Sequence, residues 1–337
     1  MNNKLKELTS KKEKLQALLK NKPKNFQNQL DEWVRVELTY SSNFIEGNTL
    51  TRQQTAEVIE RGVSVVIKNK PLKDQLEALN HSKAIDLIRK IAEQVKSHQF
   101  ISEADIKDIH KTILAGIDDY NAGSYRQTEV FIKGVSDVAF PQPNQILIKM
   151  RQLIEWLERQ QETHPVTIAA NLHYKFVTIH PFIDGNGKTG RLLMNLVLLL
   201  NNYPLAIIRA EERQEYLDSL HKLQTKKNNK DYYSLIYRAV ERSLDAYFNL
   251  AQGKPALTPF GDISGLLKIG EVASNAEVTI PTVRFYIDAG LIKPTKRSKG
   301  NFMMFQPNVV KTIKKIKKLQ KNKRLSIVEI KKELKKT

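Results

Sequence analysis

The chain of 337 residues has no cysteine, which excludes disulfides, thiolate metal sites and a cysteine nucleophile. No apolar run approaches the roughly 18 residues that a membrane span needs. The basic opening stretch, Met1 to Lys24, lacks the apolar core of a signal peptide, so no membrane partner and a cytoplasmic location are the default expectations. Acidic residues are in short supply, 36 against 55 Lys and Arg, for a formal net charge of +19. The shortage is local. Residues 265–337 hold 18 basic and 5 acidic side chains and residues 1–25 hold 8 and 2, while residues 26–264 hold 29 of each. A neutral body carrying a basic module points to a catalytic or binding core joined to something that meets a polyanion. The length is too great for one ordinary domain.

Hydrophobic spacing gives a mainly α body. Residues 1–22 read as a basic amphipathic helix with Leu5, Leu8, Leu15 and Leu19 on one face, broken by Pro23. A second helix over 26–46 has Leu30, Trp33, Val34, Leu38 and Ile45 on its apolar side, and Gly47 suits the left-handed stop after it. Helical patterns continue over 51–67, 73–98, 103–115, 144–161, 165–179, 187–201, 211–224 and 231–251. The best strand signal is 129–134, with 135–140 able to pair back as a hairpin. The Pro- and Gly-rich stretch 251–264 reads as a linker. The domains expected are therefore a basic helix over 1–25, a core over 26–250 and a basic module over 265–337.

The densest chemistry lies in His180-Pro181-Phe182-Ile183-Asp184-Gly185-Asn186-Gly187-Lys188-Thr189-Gly190-Arg191, directly before the apolar run Leu192–Leu200. A Gly-rich polar loop opening onto a buried helix is a phosphate site, because the first helical N–H groups lack partners and carry partial positive charge. His180 at a helix end can take a proton from an attacking hydroxyl. Asp184 is a hard oxygen ligand suited to Mg²⁺ shared with substrate phosphates. Gly185 and Gly187 allow backbone amides to approach an anion, Asn186 can donate its side-chain amide, and Arg191 can put a guanidinium on a terminal phosphate. Singly, a histidine or a Gly-Asn-Gly turn is commonplace. In this order and before this helix the set is specific.

These residues resemble the signature of the Fic family, His-Pro-Phe-x-Asp/Glu-Gly-Asn-Gly/Lys-Arg-x-x-Arg, at His180, Pro181, Phe182, Asp184, Gly185, Asn186, Gly187 and Arg191. The likeness runs from about residue 30 to 250 and includes Gly123-Ser124-Tyr125-Arg126 and Tyr203-Pro204. It implies a helical core with a β-hairpin flap and transfer of AMP from ATP, with Mg²⁺, to a Ser, Thr or Tyr hydroxyl of a target protein. His180 is then the base and Asp184 the Mg²⁺ ligand. Asn186 and the loop amides through Thr189 and Gly190 cradle the α-phosphate. Val130, Phe131, Ile132 and Lys133 form the flap that holds the target by β-augmentation, and Tyr216 lines the adenine pocket. Lys188 stands where the family has Arg. It keeps the charge but loses the planar fork, so looser polyphosphate positioning is expected. Ser42-Asn43-Phe44-Ile45-Glu46-Gly47 matches the family's inhibitory motif. An acid at a helix C-terminus is misplaced against the dipole unless a cation holds it, and Arg191 is the expected partner. The resemblance leaves open removal of AMP by the same glutamate, transfer of UMP or another phosphate-linked group, and use of the site as a nucleotide sensor in a transcription regulator.

In the basic module, Lys268–Ala273 starts a short helix and residues 275–278 turn. Thr279 caps a second helix with Pro281 in its first turn, and Gly290 ends it. Two further helices are expected near 307–321 and 326–336. Ile269-Gly270-Glu271-Val272-Ala273, Arg284-Phe285-Tyr286 and Gly290-Leu291-Ile292-Lys293-Pro294 resemble the MerR-type winged helix–turn–helix. The resemblance implies DNA binding, with Thr282, Arg284 and Tyr286 on the recognition helix and Lys296, Arg297 and Lys299 on the backbone, and paired half-sites imply a homodimer. Docking of a protein partner is the alternative for this module.

Overall fold

A computed structural model describes residues 2–20, 24–62, 67–131, 138–225, 228–252, 267–294, 296–297, 303–306, 308–323 and 327–335. The chain divides into two compact units, Met1–Phe260 and Gly261–Thr337. All but the first two residues of the expected linker over 251–264 lie outside the described residues.

The first unit is helical. Its elements are α1 (Asn2–Leu19), α2 (Lys24–Ile45), α3 (Arg52–Arg61), α4 (Leu72–Gln94), α5 (Glu103–Leu114), α6 (Ile146–Glu158), α7 (Pro165–Ile179), α8 (Asn186–Leu200), α9 (Arg213–Gln224) and α10 (Lys230–Ala251). Local chemistry sets several starts. Thr51 and Gln54 form a capping box on α3, Ser102 and Asp105 one on α5, and α7 opens on Pro165 with the His164 ring accepting from the Val166 N–H. The helix expected over 51–67 stops at Arg61, because Gly62 turns left-handed with φ 71° and its N–H closes on the Val58 carbonyl.

At the centre α8 packs against α7, α4 and α5. Leu192, Leu193, Met194, Leu196, Val197 and Leu198 are all buried, so this part of the helix has no solvent face. Gly190 lets α7 come close, since a Cβ there would stand 2.8 Å from the Val177 side chain. Helix α1 belongs to this unit. Leu8 and Leu15 join the main core, and Lys4 and Lys11 reach Glu241 of α10 at 2.6 and 2.8 Å. The expected hairpin over 129–140 is described only at its ends. Glu129–Phe131 and Val138–Phe140 carry no strand, and Ile132 and Lys133 lie outside the described residues.

The second unit has α11 (Ile269–Asn275), α12 (Ile280–Asp288), α13 (Asn308–Lys323) and α14 (Ile327–Lys335), with short strands β1 (Leu267–Lys268), β2 (Lys296–Arg297) and β3 (Met303–Phe305). The antiparallel sheet runs β1-β3-β2, pairing Leu267 with Phe305 and Arg297 with Met303. Thr279 caps α12 by accepting from the Thr282 N–H, and Gly290 closes it at φ 67°. Val272, Val283, Tyr286, Phe305, Ile313 and Ile316 make a separate core.

Candidate active site

Helices α7 and α8 present the loop between them. His180 closes α7 in the left-handed region, with φ 52° and ψ 57°, its N–H bonded to the Phe176 carbonyl at 3.0 Å. A non-glycine residue held there is a local strain that surrounding contacts must maintain. Arg126 supplies them. Its Nε donates to the His180 carbonyl at 2.8 Å, its backbone N–H to Pro181 O at 3.0 Å, and its other nitrogens to Thr128 O and Pro141 O. The His180 ring lies 3.3 Å through Nδ1 from the Val177 carbonyl. A carbonyl only accepts, so Nδ1 carries the proton and Nε2 keeps the lone pair. Phe140 packs 4.6 Å from the ring. Burial lowers the His180 pKa from 6.5, so the imidazole is a neutral base at pH 7.

The other side of the loop is held by His110 of α5, which the motif reading missed. Its ring stacks on Phe182 at 3.5 Å and 2°, Nδ1 accepts from the Gly123 N–H at 2.9 Å, and Nε2 donates to the Asp184 carbonyl at 2.9 Å. Burial brings its pKa down to about 4, which keeps it in this one tautomer. Asn186 is committed likewise. Its Oδ1 accepts from Phe182 N–H at 3.0 Å and its Nδ2 donates to Phe182 O at 2.8 Å. The side-chain amide expected to face phosphate instead closes the loop. The first intrahelical bond runs from Thr189 N–H to Gly185 O, and no side chain caps the helix. The N–H groups of Asn186, Gly187 and Lys188 therefore precede the ladder and project from the helix N-terminus. Thr189 and Gly190 are buried behind them. Asp184 is 58 % exposed, with Oδ1 accepting from the Gly185 N–H at 2.6 Å and Lys73 Nζ 3.9 Å from Oδ2.

Arg191 lies under this rim and is fully engaged on one side. Nε donates to Ser42 Oγ at 3.0 Å, and Nη2 donates to Ser42 O at 2.9 Å and to Glu46 Oε1 at 2.7 Å. Nη1 is buried without a hydrogen-bond partner. Glu46 sits just past the end of α2, where the pairing with Arg191 expected from the sequence is present. A Cβ at position 187 would run into Glu46 Oε1, so glycine is what admits the glutamate to the loop.

The second loop cation differs from expectation. Lys188 is 3 % exposed and its Nζ lies 3.0 Å from Glu77 Oε1 of α4. Its amine is held inside the protein and is not presented at the mouth of the loop. Tyr216 also differs. It is 2 % exposed, and its hydroxyl meets His173 Nε2 at 2.9 Å beneath the Arg191 guanidinium, which lies 5.9 Å from its ring. It supports Arg191 from within the core. His173 in turn meets the Tyr232 hydroxyl at 2.7 Å, and burial takes its pKa down to about 3.

Residues 100–198 match the model of the Fic/DOC family and residues 267–337 that of the MerR HTH family regulatory protein. The first unit holds a Fic domain. The chain is 35 % identical over 213 residues to a protein adenylyltransferase Fic from Nematostella vectensis, covering 62 % of this chain and 47 % of the relative. It thus spans about half the length of that relative. Among solved structures, a Fic domain containing signaling protein from Bacteroides thetaiotaomicron superposes with a TM-score of 0.65 at 28 % identity, covering 75 % of this chain and 99 % of that one. Fic-1 (residues 134–508) from C. elegans gives 0.66 at 26 %, covering 75 % and 73 %.

Beside the Fic loop, a cavity of about 420 Å³ lies between the described ends of 129–142, lined by Glu129, Val130, Phe131, Val138 and Phe140 with Arg126. In the second unit, Arg284 is exposed and Thr282 half-buried on α12, but Tyr286 is 3 % exposed with its hydroxyl donating to Gln320 Oε1 at 2.9 Å. Tyr286 is a core residue and is not available to DNA. Lys296 and Arg297 fall on β2, and Lys299 lies outside the described residues. No described helix is long and apolar enough to cross a membrane.

Proposed function

We propose that this protein transfers AMP from ATP to a hydroxyl of a target protein, itself included, and that Glu46 holds it inhibited. The observation that carries the reading is one neutral imidazole lone pair, His180 Nε2, on the loop from which three unbonded helix N-terminal amides project. The amides and the helix dipole receive the α-phosphate. The target hydroxyl oxygen forms a bond to the α-phosphorus while the bond from phosphorus to the α,β-bridging oxygen breaks. The hydroxyl proton passes to His180 Nε2 and pyrophosphate leaves. The names of the relatives, protein adenylyltransferase, support the same reaction.

Among the described residues no group of three or more metal-binding side chains forms. Asp184 nonetheless fits Mg²⁺ arriving with the nucleotide, since that ion takes one or two carboxylates and fills the rest of its shell with phosphates and water. Bound there, the ion neutralises phosphate charge. Asp184 contributes an exposed hard oxygen, and the Gly185 N–H fixes its orientation.

Inhibition follows from Arg191. The group suited to a terminal phosphate is bonded to Glu46 at 2.7 Å, so a nucleotide that enters is misaligned, and small displacements of reacting groups cost about a hundredfold in rate. With ATP labelled at the α-phosphate, Glu46→Gly is expected to raise self-labelling strongly. Adding His180→Ala is expected to remove it by about 10²–10⁴-fold. Label that survives His180→Ala, or a Glu46→Gly protein no more active than wild type, sinks the corresponding half.

The second unit we assign to DNA, supported by its family match, its basic charge and the exposed Arg284 of α12. An affinity for duplex DNA that does not fall with salt is incompatible with this assignment.

A further inference from the structure

Glu77 faces two ways. It lies in the second turn of α4, buried, and each carboxylate oxygen serves a different part of the Fic site. Oε2 accepts from Asn48 Nδ2 at 2.9 Å, and Oε1 meets Lys188 Nζ at 3.0 Å. Asn48 stands two residues after Glu46, and Lys188 three before Arg191. The turn that carries Glu46 is further tied to the start of α4. Asn48 Nδ2 also donates to Asp74 O at 2.9 Å, and the Thr49 N–H and hydroxyl both donate to Asp74 Oδ2, at 2.8 and 2.6 Å. Lys73 extends the alternation of charge, 4.0 Å from Glu77 and 3.9 Å from Asp184.

The inhibitory turn and the nucleotide loop therefore touch twice. One contact is direct, Glu46 on Arg191. The other runs through Glu77. If the buried lysine leaves, the buried carboxylate keeps only Asn48 and the more distant Lys73 as partners, which costs free energy. Lys188 thus stays off a polyphosphate for as long as Glu77 is well seated, and Asn48 is part of that seat. Asn48 shares its turn with Glu46, so any shift of that turn reaches Glu77 through the Asn48 bond.

We propose that Glu77 is a positioning residue that couples the two loop cations: it withholds Lys188 from the nucleotide while Asn48 keeps the Glu46 turn in place. Nucleotide capture by Lys188 and release of Arg191 from Glu46 then favour each other, by an amount that thermodynamic linkage makes equal in both directions. The proposal rests on the reading of the loop as a nucleotide site.

The test is a double-mutant cycle read by calorimetry with a non-hydrolysable ATP analogue, with thermal melts to establish folding. Glu77→Gln keeps an acceptor for Asn48 and removes the charge that holds Lys188. It is expected to tighten binding about tenfold in the wild-type background, to gain clearly less when Glu46→Gly is present, and to gain nothing in Lys188→Met. A gain that is absent, or of the same size with and without Glu46 or Lys188, overturns the coupling. Should Glu77→Gln not fold, Asn48→Ala leaves the Glu77–Lys188 pair complete. It is expected to tighten binding in the wild type and add nothing to Glu46→Gly, and equal effects in both backgrounds overturn the proposal. Absence of analogue binding in every variant overturns both this coupling and the nucleotide reading. A cycle that behaves as expected in a protein that never labels itself leaves the coupling standing and removes the transfer reaction.

Discussion

Three neighbours prepare His180 for the proposed role of base. The Val177 carbonyl fixes which nitrogen is free, Arg126 holds the left-handed backbone, and Phe140 covers the ring. Burial is the leading cause of its lowered pKa, so removing the cover should return the value toward 6.5. In the Glu46→Gly background, the acid limb of kcat/KM against pH is expected below 6.5 with Phe140 present and to shift upward in Phe140→Ala. Phe140→Leu, which restores an apolar cover, should reverse most of the shift. A limb that does not move assigns the lowered pKa to the loop alone. The residues that set this chemistry were unequally legible. His180, Asp184, Arg191 and Glu46 stand in motifs whose order is their signal. Arg126 was noticed only as part of a short likeness. His110, His173, Glu77 and Asn48 gave no signal, because each sits in a helix or turn with no motif and acquires its role from a partner distant in sequence, as His110 does 74 residues before Asp184. Lys188 and Tyr216 were legible as residues, but the burial that the structure gives both was not. Their spacing allows either a ligand contact or burial, and only the neighbours Glu77 and His173 decide.

At the scale of elements, periodicity was enough where one face is buried and the ends carry caps. The helices expected over 165–179 and 187–201 are α7 and α8, and the Thr279 and Pro281 start of α12 lies where capping chemistry puts it. It overran the end of α3, which Gly62 closes, and residues 63–66 of that expected helix lie outside the described residues. In the second unit the same element gives a sharper expectation than before. Tyr286 faces the core with Val283, so α12 offers the opposite side, with Arg284 and Phe285 exposed, to a partner. If that side enters a major groove, Arg284→Ala should cost about 1–3 kcal/mol of specific affinity. Raising salt from 50 to 200 mM should weaken wild-type binding by orders of magnitude if several phosphates are contacted. Fluorescence anisotropy with duplex DNA at several salt concentrations measures both. Binding that is insensitive to salt and to Arg284→Ala removes DNA as the partner and leaves protein docking. Tyr286→Phe is expected to act on stability only, because its hydroxyl bonds Gln320 within the unit.

At the scale of the whole molecule, the first unit hides most of its histidines in neutral form. Five of the seven in the chain, His81, His110, His164, His173 and His180, have pKa values lowered from 6.5, with burial the leading cause in each. They are distributed over α4, α5, the start and middle of α7, and the loop, so the site and its scaffold share one vulnerability. Unfolded, each takes a proton near 6.5. Folded, His110 does so only near 4 and His173 near 3. Between those values the unfolded chain binds more protons than the folded one, so stability rises with pH and is lost as pH falls below 6.5. Each histidine that stays neutral contributes a slope of about 1.4 kcal/mol per pH unit in that window, and His110 alone is worth about 3 kcal/mol between pH 6.5 and 4. Two such residues give a slope approaching 3 kcal/mol per unit, against a total stability of about 5–15 kcal/mol for a typical domain. The first unit is therefore expected to unfold in mild acid, near pH 4–5. Urea midpoints at pH 7, 6 and 5 should fall progressively, with m unchanged. His110→Gln should flatten the slope by about one histidine's share and lower the midpoint at pH 7, since it loses the bonds to Gly123 and Asp184. A midpoint constant from pH 7 to 5 would mean that these rings reach solvent and charge without unfolding. The His110 stack on Phe182 that holds the His180 loop would then be looser than its 3.5 Å spacing implies.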